Sequence, residues 1–265
     1  MSPVAPAQAL IAPGEGETIT DKPNRHVAIL AERDQLTITR SRYGPGERGP
    51  DPHVHREHTD AFYVLEGELE FRLGPDGEPV RATAGAFVAA PPGLVHSFDQ
   101  AGDGDAHFLN FHAPDGGFAQ YMRDVRDGAD AAFDSFDPPA DGGLAASEGI
   151  VVGPGEGERM VSGSRDARMK CELEHLSLAE WEILGPISGP PEHDHESQVD
   201  AFYVLEGELA MRVEGEVRPA GPHALASVPP GVVHTFSHPS ADHGRILNIH
   251  APDEGFAEFL RGVSD

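Results

Sequence analysis

The 265-residue sequence predicts an all-β fold built twice over, as two small barrels or double-sheet sandwiches in tandem. Three observations point there. First, 31 Gly and 24 Pro, with 38% hydrophobic residues, break the chain into short β-rich runs and leave little room for long helices. Second, the chain repeats itself. DAFYVLEGELEFRL from Asp60 returns as DAFYVLEGELAMRV from Asp200, identical at 11 of 14 positions. PPGLVHSF from Pro91 returns as PPGVVHTF from Pro229, and FLNFHAPDGGFAQYMRD from Phe108 as ILNIHAPDEGFAEFLRG from Ile246. The offset is 140 residues at the first block and 138 at the other two, a period that means a duplicated domain and not a solenoid. Third, only Gly117–Val125 and Gly255–Val263 carry apolar residues at three- and four-residue spacing, one short helix closing each copy.

Within the first copy, Phe62–Leu65 and Leu69–Leu73 read as strands around Glu66-Gly67-Glu68, where the glycine permits the positive φ of a tight hairpin. Thr83–Ala90, His96–Phe98 and His107–His112 follow, separated by Pro91-Pro92-Gly93 and the turn-rich Asp99–Asp105. The division expected is an N-terminal module over 1–125, a linker over 126–148 and a C-terminal module over 149–265. The linker is acidic, with paired Pro and paired Gly. Its Phe133 and Phe136 are apolar enough to be buried, so it reads either as a free connection or as a segment packed over a module.

Forty-five Asp and Glu against 19 Lys and Arg give a formal charge of −26, which repels phosphate backbones and anionic lipid, so neither nucleic acid nor membrane is an expected partner. Cys171, the single cysteine, excludes an intramolecular disulfide and a thiolate metal cluster. With no basic, apolar leader in MSPVAPAQAL and no apolar run near 18 residues, the expected location is cytoplasmic.

Chemistry enters with the 15 histidines. His53 and His55 stand two apart, a spacing that puts both imidazoles on one face of a strand. Asp60 follows, and His96 comes from the later PPGLVH segment. Three imidazoles and a carboxylate make a nitrogen and oxygen set suited to a divalent first-row metal. The second copy supplies His193, His195, Asp200 and His234. Strand parity puts Phe62 and Val64 on the face of Asp60, with Tyr63 pointing away, and Phe98 on the face of His96. Phe62, Phe98, Phe202 and Phe236 then line the two interiors, as substrate-contacting walls or as plain barrel core. His58, whose counterpart is Gln198, reads as a rim residue touching substrate. His112 and His250 share a strand face with Asn110 and Asn248 and read as supports for the ligands. His107, His223, His238 and His243 read as turn or surface residues.

These motifs resemble the cupin family, and their duplication resembles a bicupin. The family's first motif, His-x-His, a carboxylate and a glycine, is met by His53, His55, Asp60 and Gly67, and again by His193, His195, Asp200 and Gly207. The second, Gly, Pro-x-Gly and His, is met by Gly85, Pro91, Gly93 and His96; in the second copy Pro229, Gly231 and His234 match and His223 replaces the first glycine. Asp60 and Asp200 replace the commoner Glu, and Gln100 and His238 stand where an Asn often closes the second motif. The resemblance implies two double-stranded β-helix (jelly-roll) barrels, each binding one divalent transition metal, whether Fe, Ni, Mn, Co, Cu or Zn, through those four residues. The closing Gly-Phe helix resembles quercetin 2,3-dioxygenase-like bicupins. That implies an oxidoreductase acting with O2 on an aromatic or enolic small molecule, with Asp60 or Asp200 doubling as a catalytic base that leaves the metal to take a proton. A non-redox isomerase or decarboxylase, and a non-catalytic binding protein, are the alternatives. Two fused barrels already reproduce a cupin pair, so monomer and homodimer are both compatible with the sequence.

Overall fold

The computed structural model describes residues 9–139 and 148–264. The chain divides into two compact units, one of residues 16–156 and one of residues 1–15 with 157–265. Each is a pair of antiparallel sheets, one of seven strands and one of three. In the first unit the large sheet runs Ile150–Val152, Phe87–Ala90, Thr59–Glu66, Ala106–Ala113, Leu36–Tyr43, Arg25–Arg33, Glu17–Lys22. The small sheet runs Val80–Thr83, Glu68–Leu73, His96–Ala101. The second unit repeats the order with Leu10–Ile11, Leu225–Val228, Val199–Glu206, His243–Ala251, Leu176–Leu184, Arg165–Leu173, Glu158–Ser162 and with Glu216–Ala220, Leu209–Val213, His234–Ser237. This is the all-β jelly-roll pair that the sequence predicts.

Several expectations are corrected. The units are not bounded at 125 and 149, because Leu10–Ile11 pairs with Leu225–Ala226 and Ile150–Val152 pairs with Phe87–Ala89, so each leader closes the sheet of the copy it does not precede in sequence. Gly67 does not close a hairpin: Thr59–Glu66 and Glu68–Leu73 lie in different sheets, and Gly67 (φ +73°) turns the corner between them. A Cβ there would meet the Asp105 carbonyl oxygen at 2.3 Å, so only glycine fits. The expected single strand Thr83–Ala90 is likewise two strands, shared between the sheets and broken by Gly85 (φ +87°). His223, at the matching corner, takes φ +68° in glycine's place.

The linker is only partly a linker. Its start continues the helix Phe118–Asp127, and Val54 and Phe136 exchange two backbone hydrogen bonds of 3.0 Å, so the segment around 131–137 is laid across the first barrel. Residues 140–147 lie outside the described ones. Each closing helix packs an apolar face inward, Phe118 and Ala119 in one and Phe256, Ala257 and Leu260 in the other. An arginine ties each helix to two strands: Arg123 to Glu17 and Glu32, Arg261 to Glu158 and Glu172, at 2.6–2.7 Å. Among the described residues no helix is long and apolar enough to cross a membrane.

Candidate metal centres

The two-residue spacing of His53 and His55 works because Val54 between them is held by Phe136, while His53 exchanges backbone hydrogen bonds with His96 at 2.9–3.0 Å. That bridge joins the two cupin-like motifs at one point. His193 and His234 form the same bridge in the second unit, at 2.8–3.1 Å. One ligand atom from each of His53, His55, Asp60 and His96 lies within 4.8 Å of the others, and so does one from each of His193, His195, Asp200 and His234.

Ring orientation decides what these imidazoles can do. His53 Nδ1 donates to the Asp51 carbonyl, His96 Nδ1 to Leu94, His193 Nδ1 to Pro191 and His234 Nδ1 to Val232, each at 2.9 Å. A proton fixed on Nδ1 leaves the Nε2 lone pair free to ligate. His55 Nδ1 contacts the Asp134 carbonyl at 2.5 Å, a partner supplied by the segment that follows the first closing helix. His195 has no such carbonyl among the described residues. Among the described residues the Nε2 atoms of His55 and His195, both buried, have no hydrogen-bond partner, which costs stability unless a ligand takes the lone pair. Three Nε2 atoms and one carboxylate oxygen therefore fit a divalent metal in each barrel.

The carboxylates are braced on the far side. Asp200 Oδ2 faces His234 Nε2 at 3.1 Å and His195 Nε2 at 3.7 Å, while Oδ1 accepts from Asn248 Nδ2 at 2.6 Å. Asp60 has the same arrangement, with Oδ2 toward His96 and Oδ1 bonded to Asn110. Burial opposes ionisation of both, yet the surrounding imidazoles, His112 foremost for Asp60 and His250 for Asp200, hold both carboxyls well below the usual range. Burial, with His96 and His55 adding like charge, pushes His53 down to about 4. His234 is raised instead: burial opposes protonation, but Asp200 outweighs it.

The two centres differ behind these ligands. His58, expected on a rim, is fully buried. Its Nδ1 donates to Asp134 Oδ2 at 2.9 Å, and its Nε2 lies 3.0 Å from His112 Nδ1. Asp134 also accepts from the backbone amides of Arg56, Glu57 and His58. In the second centre Gln198 takes the place of His58, accepting from His250 Nδ1 at 2.6 Å and donating to the Pro252 carbonyl at 2.7 Å. His112 stacks on Phe118 and His250 on Phe256, with centroids 3.5 and 3.9 Å apart. His238, expected at the surface, is buried and bonds the Glu208 and Asp242 carbonyls.

The apolar surroundings diverge most. Phe62 and Phe98 belong to a packed cluster with Tyr43, Phe71 and Phe108, the rings 4.8–6.1 Å apart. Phe133 lies over the other side of that centre, 5.5 Å from the His55 ring and 4.4 Å from Tyr121. Phe202 and Phe236 instead line a cavity of about 680 Å³ that reaches His193, His195 and Asp200. Sequence reasoning missed Asp134, Trp181 and Arg165; only the linker's aromatic residues hinted at the first.

The family described as Cupin domain matches residues 39–112 and 181–250. The quercetin 2,3-dioxygenase of Bacillus subtilis (strain 168) is 24% identical over 97% of this chain and 86% of its own length. Among solved structures, AerE from Microcystis aeruginosa superposes with a TM-score of 0.65 at 12% identity, covering 93% of this chain and all of that one. The oxalate decarboxylase of Lactobacillus farciminis, in its formate complex, superposes with 0.64 at 12% identity over 92% and 86%.

Proposed function

Because the chain belongs to the cupin family, with a cupin domain in each half, we propose that it is a metal-dependent dioxygenase that cleaves an aromatic or enolic small molecule with O2. The observation that carries this reading is a three-histidine, one-aspartate set at the base of a largely apolar cavity. The likeness to quercetin 2,3-dioxygenase over nearly the whole chain supports it. A bound divalent metal supplies open coordination positions at which an enolic oxygen and O2 can meet.

The protein's own residues do the rest. His193, His195 and His234 offer Nε2 lone pairs, and Val232 and Pro191 carbonyls keep two of those rings turned. Asn248 holds Asp200 by one oxygen, so the other can either ligate or, when it swings clear, take the proton of a substrate hydroxyl. A carboxyl held this far below its usual range is a weak proton acceptor while the imidazoles face it, so proton transfer requires that it turn away from them. Phe202 and Phe236 exclude water from the reacting end of the cavity.

The test is to load the chain separately with Fe, Ni, Mn, Co and Cu and follow O2 uptake with flavonols and catechols. Uptake with at least one metal, lost in Asp200→Asn, is the expected result. No uptake with any metal overturns the reading, and turnover that persists without O2 and with Zn bound would assign a decarboxylase or isomerase instead.

A further inference from the structure

The internal duplication allows each cavity wall to be read against its own counterpart. Tyr43, Phe71 and Phe108, which fill the N-terminal barrel, correspond to Ile183, Met211 and Ile246. Those three side chains pack in the core of the second barrel, and beside that core lies the cavity of about 680 Å³, lined in part by Phe202, Phe236 and Trp181. Arg25 and Arg165 make the sharpest contrast. Arg25 is 2.8 Å from Glu47 and lies over the Tyr43 ring. Their counterparts are Ile187 and Ile183, so the second copy has lost the carboxylate and the ring together. Among the described residues the Arg165 guanidinium makes no ion pair and no side-chain hydrogen bond, and it lines the cavity. One register step nearer the metal donors, Ala167 pairs with Trp181, whose buried Nε1–H has no partner among the described residues and whose ring also lines the cavity.

We propose that the C-terminal barrel is the substrate chamber and that Arg165 selects its occupant, an aromatic molecule carrying an anionic oxygen at the end remote from the metal centre. The assignment rests on the reading above that the chain acts on an apolar organic molecule. A cation facing an apolar cavity without a carboxylate partner gains a charge-assisted hydrogen bond from an anionic ligand, and the unpaired indole N–H offers a second donor. The length is consistent. Asp200 pairs with His250 and His250 with Ser177, while Ile183 pairs with Arg165, so the arginine's strand position is six residues from the aspartate's, roughly 20 Å at about 3.3 Å per residue. The Arg165 side chain and the metal donors reach into that interval from its two ends, and a molecule of two linked aromatic rings fits between them. Phe259, 61% exposed at the cavity wall, corresponds to Tyr121, which Phe133 covers in the other module.

Trp181 is the chain's only tryptophan, so its emission reports on this cavity alone. The experiment titrates the metal-loaded full chain, without O2, with biphenyl-4-sulfonate and with the uncharged 4-(methylsulfonyl)biphenyl. Sulfonate is a poor metal ligand, so its advantage has to come from the protein. The expected result is saturable change in Trp181 emission with the sulfonate binding at least about tenfold tighter, the size of one hydrogen bond to a charged group. Arg165→Gln should erase that preference while leaving the sulfone's affinity in place, and Ala167→Phe, at the cavity wall beside Trp181, should weaken both. Equal binding of the two probes, or a preference that survives Arg165→Gln, overturns the assignment. Should the filled variant fail to fold, Arg165→Gln decides alone. Because no turnover is required, a chain that obeys this rule and consumes no O2 overturns only the dioxygenase reading. One that consumes O2 and ignores the probe's charge overturns only the role of Arg165.

Discussion

In the N-terminal barrel Tyr43, Phe62, Phe71, Phe98 and Phe108 pack on one another, and Phe133 covers the metal donors from the other side. At the same five interior positions the C-terminal barrel has Ile183, Phe202, Met211, Phe236 and Ile246, and its donors open onto a cavity. The four metal donors are the same residue types in both. The comparison teaches that ligand chemistry and room for substrate are separable properties of this fold. The donors come from both sheets of each unit, whereas the room beside them depends on what lies over them: Phe133 stands against the N-terminal donors, and the C-terminal donors line a cavity.

Experiments can break or sharpen that contrast, and the largest effect is expected from the ligands themselves. His96→Ala and His234→Ala should each lower bound metal from two per chain to one, by elemental analysis, and His234→Ala should reduce O2 uptake to background. Next come the braces. Asn110→Ala and Asn248→Ala should each weaken metal binding at its own centre by about 10- to 100-fold, read by competition with a chelator. Asp134→Ala should act on one barrel only. It removes the acceptor of the Arg56, Glu57 and His58 amides and of the His58 ring, so a thermal or urea melt should show a loss of about 1–3 kcal/mol. Metal exchange at the N-terminal centre should quicken, with the C-terminal centre unaffected.

The smallest effect is one of pH. Only a neutral imidazole ligates, so protonation competes with metal. Burial holds His53 down to about 4, whereas Asp200 raises His234 above its ordinary value. As pH falls, His234 takes its proton first, and the C-terminal centre should release metal at a higher pH than the N-terminal one. Chelator-accessible metal measured from neutral pH downward should therefore appear in two steps, the first missing in His234→Ala.

Much of this molecule was legible in the sequence because the informative signals are local or repeated. His-x-His sets a shared face within three residues, and the near-identical blocks around Asp60 and Asp200 announce two copies of one site. What could not be read depends on partners far apart in the chain. His58 looked like a rim residue because nothing nearby marks Asp134, 76 residues on, as its partner. The swapped leaders escaped notice because Leu10–Ile11 and Ile150–Val152 are short strands whose pairing is visible only in the sheet. Gly67 announced a positive φ correctly, but a hairpin and a corner between sheets ask the same of one glycine. The phenylalanines carried the least information: Phe62 and Phe202 are the same residue, and their neighbours decide which is core and which is wall.

The most direct test of the central claim is a crystal structure of the metal-loaded chain soaked with a flavonol in the absence of O2. The account expects the flavonol in the C-terminal barrel alone, between the His193, His195, Asp200 and His234 centre and Arg165, with Tyr43, Phe108 and Phe133 unmoved in the other. A flavonol bound in the N-terminal barrel with the C-terminal cavity empty would contradict it.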